Sequence, residues 1–282
     1  CEVRGARDLV RWSSEVSTGA DTQWNSSPIM LTAQHVDEVF DLLYTLVHPR
    51  NLEERARAEH TFLSLESTPG FLPVLMMIVF SEEEPSIREL AVISMRNCVR
   101  RHWNDHSARD PSHQCVPVED KVIVRNSLLD NLEESSDSVH LQWCLLAAAV
   151  ARADCPQNWP DAFPRMCQAL EETEGCVQRR VLQMVYYMVK ELASRPYRLH
   201  RQNFRELAPG LFSFLFAAWS EALRSLGQAL ENENSAASVL RDASSVEEVR
   251  NLIFVTRNTS KALRRILIYG SVSYREQDSF CE

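Results

Sequence analysis

The residues best suited to metal chemistry lie in and beside one polar segment, residues 104–116. His102, His106, His113 and Cys115 carry imidazole and thiol groups, which are common zinc ligands. Their spacing matches no common zinc module, and a polar loop that holds several histidines explains the cluster better. The sequence therefore predicts neither a metal site nor a cofactor.

Signatures of catalytic centres are absent from the sequence. It contains no G-x-S-x-G nucleophile motif, no P-loop, no H-E-x-x-H motif and no G-x-G-x-x-G motif. Adjacent carboxylates such as Glu133 and Glu134 fit a solvated helix end. Because no activated nucleophile is visible, an enzyme is the least favoured class, and a role in binding other proteins is expected.

Composition and charge narrow the class of protein further. Hydrophobic residues make up 45% of the 282 residues, enough for a sizeable core, and 7 Gly are few for a sheet-rich fold. The net charge of -9 disfavours direct binding of nucleic acid through its phosphates. No apolar run reaches the roughly 20 residues of a membrane span, so no membrane insertion is expected. The 8 Cys include no C-x-x-C pair, which favours reduced thiols and an intracellular protein.

The hydrophobic pattern predicts helices from about residue 30 to residue 270. Order is expected to begin near Thr32, a plausible N-cap, whereas residues 1–29 show no period and are predicted to be a disordered extension. Residues 232–245 resemble a flexible loop. The clearest helix, 86–103, repeats apolar residues at steps of three and four: Ile87, Leu90, Ala91, Ser94, Met95, Cys98 and Val99.

These helices group into pairs, mostly at a step near the roughly 40–47 residues of HEAT units. The predicted pairs span 32–66, 71–103, 117–153, 160–194 and 201–269. Each pair can bury its inner stripe only on its neighbours, and there is no βαβ alternation. The pattern therefore predicts an all-α, HEAT/armadillo-like helical-repeat solenoid, a right-handed superhelix, over residues 30–282.

Two segments carry motifs of a known family. Between residues 56 and 103, an Ala-Glu helix ends at a Pro-Gly-Phe break, and an Ile-Arg helix with an Arg-Asn pair and a closing Trp follows: Pro69, Gly70, Phe71, Ile87, Arg88, Arg96, Asn97 and Trp103. A second break contains Asp154, Pro156, Trp159 and Pro160. These motifs resemble the importin-β family of nuclear transport receptors, with residues 54–135 similar to its N-terminal domain.

Looser motifs further along resemble the importin-eleven branch of that family. They are Val189–Ser194, Asn203–Ala208 and Ala217–Trp219. The resemblance covers about residues 36–270. The sequence departs from the family pattern at Arg96, where Lys is usual, and in a longer, histidine-rich segment 104–116.

The resemblance implies a superhelix that binds Ran in its GTP form, carries protein cargo, contacts Phe-Gly repeats of nucleoporins and shuttles between cytoplasm and nucleus. It places the Ran contact on Arg96, Asn97, Arg100, Arg101 and Gln142. Taken without the family, these arginines fit a solvated face, and Gln142 fits a residue bonded within the core. Trp103 and Trp159 are expected to pack rather than to touch a partner. The alternative function is a HEAT-repeat scaffold subunit that does not bind Ran.

Overall fold

A computed structural model describes residues 31–66, 68–81, 83–104, 114–130, 132–194, 198–231 and 243–270. These residues form a short 3-10 helix, Ala33–His35, and ten α-helices. The helices are α1 Val36–Val47, α2 Leu52–Leu65, α3 Phe71–Val79, α4 Pro85–His102, α5 Val118–Asp130, α6 Asp137–Asp154, α7 Ala162–Glu172, α8 Gly175–Ala193, α9 Arg198–Glu231 and α10 Ala243–Gly270. No strand occurs in these ranges, and the predicted all-α class is confirmed.

Some sequence predictions fall outside the described residues. They are the disordered extension at 1–29, most of the loop at 232–245, and the candidate ligands His106 and His113.

Most helix ends follow local signals. The Asn51 side chain accepts a hydrogen bond from the Glu54 N–H at 2.8 Å, which caps α2. Pro85 occupies the first turn of α4, where its missing N–H costs nothing. Thr32 precedes the 3-10 helix, so α1 itself begins four residues later, at Val36.

The end of α5 corrects the sequence prediction. The first helix of the predicted pair 117–153 ends at Asp130, before Glu133 and Glu134, and residues 132–136 are irregular. The Arg180 guanidinium donates to the carbonyl of Ser135 at 3.3 Å, so a side chain rather than a helical N–H binds this carbonyl. Glu134, expected to be solvated at a helix end, is only 6% exposed.

The first of two compact units comprises Cys1–Ser127 and Ser136–Leu146. In it α1 packs on α2, α3 on α4, and α1 also contacts α3 and α4. The short helix α3 is buried on almost every side, as its apolar sequence predicted. Aromatic contacts hold both of its ends. The ring of Phe71 packs edge to face on Phe62 with centroids 5.4 Å apart, and the ring of Phe80 packs on Trp143 with centroids 5.5 Å apart.

The second unit comprises Leu128–Ser135 and Ala147–Glu282. In it α7 packs on α8, and α10 packs on both α8 and α9. Its core residues include Trp159, Val181, Met184, Leu215 and Ala262. Paired packing of consecutive helices thus occurs in both units, whereas one continuous array over 30–282 stays a prediction.

The thiols inside helices behave as small apolar groups. Cys98 and Cys144 are both 0% exposed. Burial, with a further contribution from the charge of Glu66, raises the pKa of Cys98 to about 12, so this thiol stays protonated and unreactive. None of the helices described is both long and apolar enough to cross a bilayer.

Candidate protein-binding site on helices α4 and α6

The helix α4 has one buried stripe and one open face. Its buried residues include every member of the predicted stripe except Leu90, which is half-buried, and they also include Val92. The opposite face carries residues at steps of three and four that are half-buried or exposed: Glu89, Ile93, Arg96, Asn97 and Arg100. This face therefore offers a mixture of polar groups and one apolar side chain to a partner.

Arg96 and Gln142 are brought together by the packing of α4 against the first half of α6. The Arg96 Nη1 donates to Gln142 Oε1 at 2.8 Å, and Gln142 Nε2 donates to Glu89 Oε1 at 3.3 Å. Burial, and to a smaller extent the charge of Arg100, lowers the pKa of Arg96. The amide of Gln142 thus links two charged residues of α4 and holds the Arg96 guanidinium in one orientation.

Asn97 and Arg100 differ from Arg96. Asn97 is half-buried and Arg100 is exposed. Neither side chain has a hydrogen-bond or ion-pair partner among the residues that the structure describes. An amide that both donates and accepts and a guanidinium fork are therefore open to another molecule.

Arg101 is committed to an internal ion pair. Its Nη2 donates to Glu66 Oε1, and His102 Nε2 lies 3.7 Å from the other carboxylate oxygen. Glu66 is only 6% exposed, and its burial raises its pKa while Arg101 and then His102 oppose that shift. This pair fastens the last turn of α4 to the end of α2, although about half of the Arg101 side chain remains exposed.

The Pro-Gly-Phe break places α3 through glycine geometry. Gly70 has φ of 85°, in the left-handed region, and a Cβ there would lie 2.0 Å from the carbonyl oxygen of Leu31. Its N–H donates to the buried carboxylate of Asp120 at 2.8 Å. The neighbouring Pro69 carbonyl accepts from the Leu31 N–H at 2.8 Å. Only glycine fits this crossing of three chain segments without strain.

The Ile-Arg start of α4 fastens it to α3. Ile87 is 2% exposed, and the Arg88 Nε donates to the carbonyl of Val79 at 2.8 Å. The Val79 carbonyl lies at the C-terminal end of α3, where a helix has no further N–H groups to bind its last carbonyls, and Arg88 supplies the donor. The closing Trp103 is 1% exposed, and Lys121 Nζ lies 5.7 Å from its ring centroid.

The second break closes as a tight turn after α6. The Asn158 N–H donates to the Asp154 carbonyl at 2.8 Å, and the Cys155–Pro156 peptide bond is cis. Trp159 is 3% exposed, whereas Pro160 is exposed. The burial of Trp159 fits the packing role predicted for it, which mutagenesis has to test.

Sequence reasoning missed the acidic partners of these residues. Glu66, Glu89 and Asp120 each bind a residue of the predicted motifs, yet the separations along the chain range from 35 to 53 residues. No short spacing pattern could have pointed to them. Of the candidate zinc ligands, His102 Nδ1 lies 3.1 Å from the Gln114 carbonyl and Cys115 Sγ donates to the Trp103 carbonyl.

Comparison with known proteins shows which family the chain resembles. Residues 58–134 match the family model of the importin-beta N-terminal domain. Human importin-11 is 29% identical over 216 residues, which are 76% of this chain and 20% of that protein. The importin beta-like protein kap113 of Schizosaccharomyces pombe is 26% identical over 218 residues.

The chain is thus similar in sequence to the importin-β family, and the family model matches residues 58–134.

Two solved structures show the fold class of the chain. The nuclear transport receptor Lph2 of S. cerevisiae aligns with a TM-score of 0.63 at 21% identity, over 85% of this chain and 22% of that one. The cargo-free exportin Cse1 aligns with a TM-score of 0.64 at 17% identity. The helical-repeat fold class and the likeness to importin-eleven are therefore confirmed. The chain spans about a fifth of the length of the curated relatives that it matches.

Proposed function

We propose that this chain works as a nuclear transport receptor and binds Ran in its GTP form through the open face of α4. The observation that carries the proposal is the availability of Asn97 and Arg100, which have no side-chain partner in the described part of the chain. The family match covers residues 58–134, which contain this helix. The two observations concern the same helix, and together they support the proposal.

The five proposed contact residues divide into three kinds. Asn97 and Arg100 are open and would supply the new hydrogen bonds. Arg96 is held by Gln142, so both side chains are already oriented before a partner arrives. They would therefore lose little conformational entropy on binding. Arg101 mainly fastens the helix to Glu66, and its exposed portion would contribute charge.

The chemistry of this surface favours a partner with carboxylates. A guanidinium forms its strongest hydrogen bonds with carboxylates, in a two-bonded fork. Because Arg100 is exposed, salt should screen its attraction and weaken binding. Discrimination between GTP and GDP forms would come from the GTPase, whose switch segments are ordered by the γ-phosphate.

The remaining partners follow from the same role. Protein cargo would bind in competition or in cooperation with Ran, and the receptor would shuttle between cytoplasm and nucleus. Phe-Gly repeats of nucleoporins would make weak contacts with exposed apolar side chains, of which Leu52 is 83% and Leu63 is 46% exposed on α2. No enzymatic step is proposed.

The test is a titration of the chain with Ran loaded with GTP or with GDP, at two salt concentrations. The double variant Asn97→Ala with Arg100→Glu should weaken binding of the GTP form by about tenfold to a hundredfold, because it removes two contacts and adds charge repulsion. Circular dichroism should show unchanged helicity. The control is Arg257→Glu with Arg264→Glu, which changes exposed charge on a different helix, α10, and should bind Ran normally.

The outcomes separate the function from the location of its site. Equal affinity for the GTP and GDP forms, or no binding of either, would refute the Ran-binding role and favour the scaffold alternative. Undiminished binding by the double variant would refute only the placement on α4.

A further inference from the structure

Helix α10 presents to solvent a stripe of three basic residues with two apolar residues among and beside them. Six exposed residues recur at steps of three and four and so share one face: Arg250, Ile253, Arg257, Ser260, Arg264 and Leu267. Ile253 is 51% and Leu267 is 56% exposed. On the opposite face of the helix, residues such as Val255 and Ile266 are buried in the second unit. The stripe is therefore the outer face of a firmly packed helix.

The charge of this stripe is not compensated within the described part of the chain. Arg257 and Arg264 make no ion pair or side-chain hydrogen bond there, and Arg250 reaches only the exposed Glu247, at 3.7 Å. Residues 249–270 contain no Asp or Glu, although the whole chain carries a net charge of -9. A concentrated positive row on an acidic protein is an attractive site for an acidic partner.

We propose that this α10 stripe binds an amphipathic helix of a partner protein that alternates carboxylates and apolar side chains on one face. The three arginines recur every seven residues, about 10 Å apart along the axis. Two helices lying side by side repeat their contacts at this same seven-residue period. Each guanidinium would take a carboxylate in a fork, while Ile253 would bury an apolar side chain between the first two ion pairs and Leu267 another beyond the last.

Other occupants fit the stripe less well. A purely apolar surface, such as the face of another helical repeat, would bury the guanidinium groups of Arg257 and Arg264 without partners, which is costly. Nucleic-acid phosphates would match the arginines but leave Ile253 and Leu267 without apolar contacts.

The proposal is tested by fluorescence anisotropy with the whole chain and a labelled synthetic helix. The probe is about three heptads long, with Glu and Leu alternating on one face to match the seven-residue period. Two control peptides replace all Glu by Lys, or all Leu by Ser. We expect the Glu-Leu helix to bind, and both controls to bind at least about tenfold more weakly.

Variants locate the site. Arg257→Glu with Arg264→Glu should weaken binding of the probe by about tenfold or more, since attraction becomes repulsion. Ile253→Ser with Leu267→Ser should weaken it several-fold by removing apolar contact. The matched control, Arg55→Glu with Arg57→Glu on α2, makes the same charge change at exposed positions of the other unit and should leave binding intact.

Three results would overturn the proposal. The first is an equal loss of binding in the α2 control, which would show attraction by overall charge. The second is equal binding of the Ser-substituted peptide, which would remove the apolar half of the recognition. The third is that a single-stranded oligonucleotide or phosphatidylserine vesicles bind better than the Glu-Leu helix and that this binding depends on Arg257 and Arg264. Binding of Ran-GTP by the α10 variants is measured in parallel and is independent of all three.

Discussion

The substitution Gly70→Ala tests how the Pro-Gly-Phe break places α3. Gly70 adopts φ of 85°, and an added Cβ would lie 2.0 Å from the Leu31 carbonyl oxygen and 2.9 Å from its carbonyl carbon. Both atoms belong to the backbone, so no side-chain rotation relieves the overlap. The backbone of residue 31 has to move, and its N–H would lose the 2.8 Å hydrogen bond to the Pro69 carbonyl.

The expected cost is the sum of two effects. The left-handed conformation costs an L-residue about 1–2 kcal/mol. Loss of the hydrogen bond between Leu31 and Pro69 adds about 1 kcal/mol. Gly70→Ala should therefore lower the free energy of unfolding by about 2–4 kcal/mol, the upper end applying if the bond from Gly70 to Asp120 also weakens.

Two other glycines separate these effects in urea-unfolding measurements. Gly175 has φ of 58° but nothing within 4 Å of its added Cβ, so Gly175→Ala should show only the conformational cost. Gly210 lies inside α9 with open space around its added Cβ, so Gly210→Ala should stabilise by about 0.5–1 kcal/mol. If Gly70→Ala costs no more than Gly175→Ala, the proposed overlap with Leu31 is refuted.

Three further predictions concern other described residues. Trp159→Ala should lower the free energy of unfolding by about 3–5 kcal/mol, because the side chain is buried; a melting temperature equal to that of the parent, with loss of partner binding, would instead make Trp159 a contact residue. Burial raises the pKa of Asp120 above its ordinary 3.8, so the folded state keeps this proton longer than the unfolded state as pH rises. The contribution of Asp120 to stability should thus fall as pH rises above 3.8 through the folded pKa, and Asp120→Asn, which retains an acceptor oxygen, should lose less stability over that range; equal pH slopes in urea titrations would contradict this. Gln142→Leu should cost about 1 kcal/mol by leaving the half-buried Arg96 without its acceptor, whereas a neutral result in thermal melts would show that Arg96 finds another partner.

The sequence by itself determined the helices and much of their burial. The cap at Asn51, the proline at the start of α4 and the break at Gly70 act over three or four neighbouring residues, so their effect can be read locally. The stripe of α4 was predicted for the same reason, since residues three and four apart share a helix face. The family motifs added the likeness to importin-β, which comparison with known proteins then confirmed.

Only the tertiary structure decided which polar residues are open to a partner. Arg96, Asn97, Arg100 and Arg101 form one group in the sequence, but Arg96 is bound by Gln142, 46 residues away, and Arg101 by Glu66, 35 residues away. The early end of α5 and the burial of Glu134 likewise depend on packing within the second unit. Such partners are set by how helices pack against one another, and helical periodicity specifies which face of a helix is buried but not which residues meet it.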